Sequence, residues 1–275
     1  MPSLTTRLVD GFERVGDVLA LAFVPVVTAL LQTDKVRAVL AFDGVHVGFS
    51  LGSPIGVVDV WTFVDPPSRG ATVSAGVPVG ESPLSLALVP VALAVNAALA
   101  AGYFGSIGQS LVAGSYDFAA NVREHFRPFL VLNVVPALLF LPFAVLGIGA
   151  GPWALAPVVV LLIPVSVAAA YLFAATPYLV VLRGVGVVDA ARASYGFATD
   201  GGPYLRYVVG FALVVLAASP VASVVVVSVP IVGLVVGLGA AAVAGLAANV
   251  ATMRFVADLD PESPAVGPWP ERTGD

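Results

Sequence analysis

The pentapeptide Gly48-Phe-Ser50-Leu-Gly52 matches G-x-S-x-G, the turn on which many hydrolases expose a nucleophilic serine. That motif works only where a strand turns sharply into a helix and sets the serine beside a histidine. His46 shares a predicted strand with Ser50, two pleats away on the same face, but no third member of a triad is evident. Ser53-Pro54 follows directly and argues against a helix there. A hairpin rich in Gly and Ser is the better account, and a Ser50 hydrolase is the one enzymatic reading left to exclude. Asp43, His46, Asp59 and Asp65 could supply ligands for a metal ion. The chain has only one other histidine, His125, and no cysteine, so solvated loop carboxylates are the preferred reading. The zincin motif H-E-x-x-H is absent. We therefore expect no enzyme, no metal site and no cofactor.

Pumps and ion-coupled transporters carry ionisable residues facing a pathway inside the membrane. The second to sixth apolar segments described below hold none in their interiors. They hold Asn96, Asn133, Asn249, a Gln109 at a segment end, and scattered Ser and Thr. Helix-to-helix hydrogen bonding is the default role for these, with a polar solute path as the alternative. Arginines gather instead in two short loops, as Arg123 and Arg127, then Arg183, Arg192 and Arg206, with Tyr195 among them. A guanidinium binds a phosphate or carboxylate through a fixed two-pronged geometry. Arg123, Arg127, Arg192, Tyr195 and Arg206 are thus candidate contacts for lipid or a partner. A general cytoplasmic bias of arginine is the competing account.

These residues belong to a chain of 275, of which 59% are hydrophobic and 11% charged. Soluble domains run near a quarter charged, so this is an integral membrane protein. Its net charge is −5 with no basic tract, which excludes nucleic acid as a partner. Lys35 is the one lysine, and Asp outnumbers Glu, a balance that suits high salt.

Residues 1–17 place Leu4, Leu8, Phe12 and Val15 at helical spacing between charged positions, which predicts an amphipathic helix lying on the membrane surface. A membrane domain over 18–257 follows. Its predicted spans are Val18–Leu31, Pro83–Tyr103, Phe129–Ile148, Ala154–Leu182, Tyr207–Val229 and Ile231–Met253. Residues 34–81 form a long excursion in which two β-rich runs flank Ser53-Pro-Ile-Gly56, predicting an extracellular β-hairpin with Val45, Val47, Phe49 and Leu51 on one face. Residues 258–275 read as an acidic, disordered tail. The last span is the organising one. Gly233, Gly237, Ala241, Gly245 and Asn249 recur every fourth residue, a stripe that lets helix backbones approach closely. Nine of the twelve basic residues fall on one side, against Lys35, Arg37 and Arg69 on the other, which predicts both termini in the cytoplasm. The two arginine loops also share a spacing of Arg and aromatics before the next span, a weak sign of a parallel repeat.

The stretch Arg183-Gly-Val-Gly-Val-Val-Asp-Ala-Ala-Arg-Ala-Ser-Tyr195 with Gly201-Gly-Pro-Tyr204, and Thr252-Met-Arg-Phe-Val-Ala-Asp-Leu-Asp260, resemble a family of uncharacterised six-span membrane proteins from halophilic archaea. The element Asp189-Ala-Ala-Arg192-x-Ser194-Tyr195 is more distantly similar to the membrane domain fused to some bacterial glycerophosphodiester phosphodiesterases. The resemblance implies a fold and no activity, because the catalytic barrel of those enzymes is missing. ABC-type permeases dock their ATPase with an inner loop of related pattern, but Gly196 stands one position late, and a plain interfacial helix is the better reading.

The sequence thus predicts an all-α bundle of six spans in the plasma membrane. Its expected role is a non-enzymatic scaffold or accessory subunit acting through its cytoplasmic loops. Its expected partners are membrane lipids and another membrane protein or an ATPase subunit. The alternative is a permease or permease subunit for a small apolar or zwitterionic solute.

Overall fold

The computed structural model describes residues 3–67, 83–150, 156–229 and 231–267. Among them no strand occurs, and five helices are long and apolar enough to cross a bilayer: Leu4–Leu31, Leu88–Ala113, Leu162–Arg183, Pro203–Ser228 and Val232–Leu259. The protein is a multi-pass helical membrane protein.

Helix α1 (Leu4–Val18) is capped by Ser3, whose hydroxyl accepts the Thr6 N–H. It runs through one 3-10 turn (Leu19–Ala22) into α2 (Phe23–Leu31), so the first crossing starts at Leu4 rather than Val18. The predicted amphipathic helix is present, but two of its charged residues lie on the last helix and not on water, while Glu13 and Asp17 remain exposed. There Arg7 and Asp10 are each 2% exposed. A short helix α3 (Thr33–Leu40) follows, then a segment without regular structure, and the single turn α4 (Val60–Phe63).

Helices α5 (Pro83–Ala113) and α6 (Phe118–Ala150) form a tight antiparallel pair. A Cβ on Gly102 would lie 2.4 Å from the Phe118 ring, and one on Gly105 would lie 2.7 Å from Asn121 Cβ. Helices α7 (Ala156–Leu172) and α8 (Thr176–Arg183) are two halves of one crossing, interrupted at Phe173–Ala175. The interruption frees backbone groups, and Ser194 on α9 (Val187–Asp200) takes them up. Its hydroxyl donates to Leu172 O (2.8 Å) and accepts the Ala175 N–H (3.2 Å). Helix α9 ends at Gly201 and Gly202, whose φ values of +66° and +55° suit glycine. It begins after Gly186, so Asp189 stands in its first turn rather than at the N-cap.

Helix α10 (Pro203–Ser228) turns back into α11 (Val232–Leu259), which touches α1, α2, α4, α5, α8 and α10. The predicted stripe on α11 explains this centrality. A Cβ on Gly233 would meet Val225 O at 2.1 Å, and one on Gly237 would meet Val226 Cγ2 at 2.3 Å, both on α10. One on Gly245 would meet Val58 O at 1.9 Å, so this end of the stripe faces loop backbone as well as helices.

The predicted β-hairpin is not formed. Its turn is real, at residues 54–56, but the first arm is a segment without regular structure that shows no backbone pairing among the described residues, and the second arm contains α4. The expected tail also departs from prediction through Gly267. Asp258 pairs with Arg7, Asp260 with Arg183, and Val266 is 4% exposed in the core. Residues 268–275 lie outside the described residues.

Candidate functional site

What would have been a hairpin in solvent is a loop inserted into the bundle. Residues 44–52 descend beside α10, the chain turns at 54–56, and residues 57–67 return through α4. On the descending limb Val45, Val47, Phe49 and Leu51 do share one face, as their alternation predicts, and that face is exposed. The other face meets hydroxyls. The Ser228 Oγ accepts the His46 N–H (3.0 Å), and the Ser219 Oγ accepts the Ser50 N–H (2.8 Å) and reaches Gly48 O (3.4 Å). On the return limb the Ser223 Oγ accepts the Asp65 N–H (3.1 Å). Ser219 and Ser223 are one helical turn apart, on one face of α10.

The tip reaches deep. Asn249 lies about 25 Å along α11 from Val232 at ~1.5 Å per residue, well over half way down the helix. Its Oδ1 accepts the Val58 N–H (3.0 Å) and the Tyr103 hydroxyl (3.1 Å). Its Nδ2 donates to Gly56 O (3.0 Å) and to the Tyr178 hydroxyl (2.8 Å). Tyr178 in turn donates to Pro54 O (2.6 Å). Every lone pair and proton of that amide is used. Two glycines permit the loop's own limbs to close together. A Cβ on Gly48 would stand 2.5 Å from Asp65 Cβ, and one on Gly52 would stand 2.6 Å from Thr62 Cγ2.

Asp59 fastens the return limb to α2. It is 6% exposed and caps α4, its Oδ1 accepting the Trp61 N–H (2.9 Å). Its Oδ2 accepts Gln32 Nε2 (3.0 Å) and faces the Thr28 hydroxyl (3.4 Å). The Trp61 indole N–H donates to Ala29 O (2.9 Å), and Lys35 Nζ stands over the indole at 5.7 Å. Burial raises the Asp59 carboxyl to about 6, against the opposing pull of Lys35 and the hydrogen bonds it accepts. The solvated loop carboxylate expected at this position is therefore a buried one.

The remaining predicted residues separate. Ser50 sits in an extended segment with no helix before Val60, so the nucleophile elbow is not formed. His46 Nε2 is 2.9 Å from Asp65 O and not beside a serine hydroxyl. Among the described residues no group of three or more His, Asp or Glu could hold a metal ion. Arg123, Arg127, Arg192, Tyr195 and Arg206 are all exposed, and α9, which carries Arg192 and Tyr195, packs mainly on α8 and α7 and also touches α6 and α10. Arg192 pairs with Asp189 (2.9 Å). Arg183 is held by Asp260 (2.5 Å) and Glu262 (2.8 Å). Arg254 is fully buried against Asp10, which also binds Arg14 (3.2 Å), while Arg7 binds Asp258 (3.0 Å) and lies over Phe255. Sequence reasoning missed Tyr103, Tyr178, Ser219, Ser223 and Ser228, and it placed Asp59 in solvent. Only the Ser219/Ser223 spacing, on one face of an apolar helix, carried a signal. No family model matches the chain, and no curated protein or solved structure is significantly similar to it.

Proposed function

We propose that this protein is a permease, or the membrane subunit of one, for a small uncharged or zwitterionic solute, with residues 44–59 seated in the pathway. The single observation carrying this reading is the polar groove that holds the loop. Non-helical backbone at membrane depth survives only where protein buries it or water lines it. A bundle that needed only stability would fill this space with apolar side chains, because each buried polar group costs free energy unless it is bonded. Here α5, α8, α10 and α11 instead supply Tyr103, Tyr178, Ser219, Ser223 and Asn249. These are neutral donors and acceptors that bind a peptide backbone, and the same groups suit amides, hydroxyls and amino acids. The interrupted α7–α8 crossing, with unwound backbone inside the bundle, belongs to the same repertoire.

The arrangement is a bundle of six spans, with Phe129–Ile148 of α6 as the crossing beyond the five counted above. The Arg7–Asp258 pair supports an even number, since it joins the start of the first helix to the end of the last. The arginine bias supports a cytoplasmic location for both ends in the plasma membrane.

The test is reconstitution into vesicles and stopped-flow measurement of swelling with glycerol, urea, alanine and glycine betaine. Faster entry of at least one solute than in protein-free vesicles is expected, with the rate altered by Tyr178→Phe. Rates equal to protein-free vesicles for all four would sink this reading. A second reading, the accessory subunit acting through its inner loops, is favoured by the exposed face of α9, where Val188, Arg192 and Tyr195 are uncovered. Recovery of another membrane protein or an ATPase with the chain from native membranes, lost on Arg192→Lys, would distinguish it.

A further inference from the structure

We propose that Asp59 is a proton-binding site, with Thr28 as its switchable partner, and that its protonation controls how firmly the return limb of the inserted loop is seated on α2. The geometry around the carboxyl accommodates both protonation states. The Thr28 hydroxyl is 3.4 Å from Asp59 Oδ2 and 3.2 Å from Pro25 O, and its one hydrogen can serve either. With Asp59 ionised, that hydrogen points to the carboxylate. When a proton is taken from solution onto Oδ2, Thr28 turns its hydrogen to Pro25 O and accepts the new Asp59 O–H. Gln32 keeps its NH2 toward the carboxyl in both states, because that nitrogen also donates to Thr28 O (3.4 Å) and a protonated carboxyl oxygen still has a lone pair to accept it. Among the described residues no guanidinium reaches Asp59, in contrast to Asp260, which Arg183 grips with two nitrogens.

Among the described residues the charges around the site are few. Lys35, half-buried on α3, faces Asp59. Asp65 on the return limb faces Lys35 and lies 3.9 Å from His46 Nε2. From α2 the site meets only Thr28 and Gln32, and the stretches of α10 and α11 packed on α4 carry no charged residue. Removal from water opposes the ionised form, and Lys35 only partly offsets it.

The sign follows from linkage. A carboxyl raised to about 6 binds its proton more tightly when the limb is seated than when it is released into water. Seating is therefore strengthened fully below the ordinary carboxylate range and loses that contribution as pH rises through about 6. The proton acts as a latch.

Trp61 is the reporter, because Asp59 accepts its N–H and Lys35 stands over its ring. With Trp153 and Trp269 replaced by Phe, the emission of Trp61 in the full-length protein is followed from pH 4.5 to 8. One transition with a midpoint near 6 is expected. Asp59→Asn, isosteric and itself a good helix cap, should abolish it. Lys35→Gln should move the midpoint upward, because the cation that favours the carboxylate is gone. His46→Gln, which removes the imidazole beside Asp65, should leave it in place. A flat wild-type profile, a transition surviving in Asp59→Asn, an unmoved or lowered midpoint in Lys35→Gln, or loss of the transition in His46→Gln would each overturn the assignment.

Discussion

The Asn249 carboxamide accepts the backbone N–H of Val58 across 191 residues of chain, fixing an irregular loop to the most central helix of the bundle. The bond is buried, and the same amide also holds Gly56 O. Replacing Asn249 by Leu keeps the volume and removes both. A buried orphaned backbone group costs about 1–3 kcal/mol, so the variant should lose on the order of 3 kcal/mol. Its thermal unfolding in detergent should fall by several degrees, while Asn96→Leu changes little. Equal effects would show that Asn249 is not a keystone.

Gly245 tests the same contact from the backbone side. An Ala there would put its Cβ 1.9 Å from Val58 O, a backbone atom that cannot rotate away. Gly245→Ala should destabilise by about 2 kcal/mol or more, through overpacking. Gly196→Ala makes the opposite case, since nothing lies within 4 Å and α9 is helical there. That change should be neutral or stabilise by up to about 1 kcal/mol, which chemical denaturation would read directly.

These two residues also mark how far the sequence could be read. Small residues at every fourth position identify α11 as a packing helix whatever it packs against, so Gly233 and Gly237 were legible as an interface. What Gly245 and Asn249 meet was not, because their partner is loop backbone and backbone leaves no trace in residue types. Asp59 illustrates a second limit. A capping carboxylate on a one-turn helix looks like any polar loop residue until the loop's burial is known. The alternation of Val45, Val47, Phe49 and Leu51 was read correctly as a common face. A lone extended segment and a paired strand share that period, and pairing is a property of the fold. Amphipathicity in residues 4–18 likewise gave a polar face without saying that part of the face meets Arg254 and Asp258 instead of water.

That polar face supports the next prediction. Arg254 is fully buried with Asp10 against it, and Asp10 also binds Arg14. Truncating one member of a buried pair leaves the other charge uncompensated, at a cost of about 3–5 kcal/mol. Asp10→Leu should therefore damage folding or insertion strongly. The double variant Asp10→Leu/Arg254→Met removes both charges and should recover much of the loss, seen as monodisperse protein in detergent. A double variant no better than the single one would mean that the pair positions α1 in a way apolar packing cannot replace.

The arginines pose a question of kind and not of number. Arg7, Arg14, Arg183 and Arg254 are each held by a carboxylate of the chain, so their presence has a structural cause. Arg123, Arg127 and Arg206 are exposed, and Arg192 has only the exposed Asp189. An exposed ion pair of this sort contributes about 0–1 kcal/mol, so folding does not require Arg192. If these four serve orientation alone, lysine replaces them without consequence, because orientation responds to total charge. If they bind a lipid phosphate or a partner carboxylate, lysine lacks the planar fork that such groups engage. Arg192→Lys, and to a lesser degree Arg123→Lys, should preserve expression and the accessibility of a cysteine placed at exposed Asp43, yet reduce the anionic lipid or protein that co-purifies. Quantitative lipid and protein mass spectrometry of the purified variants reads this. Unchanged recovery in the double lysine variant would return all four to the role of topology signals, and leave the inserted loop as the one functional element of the molecule.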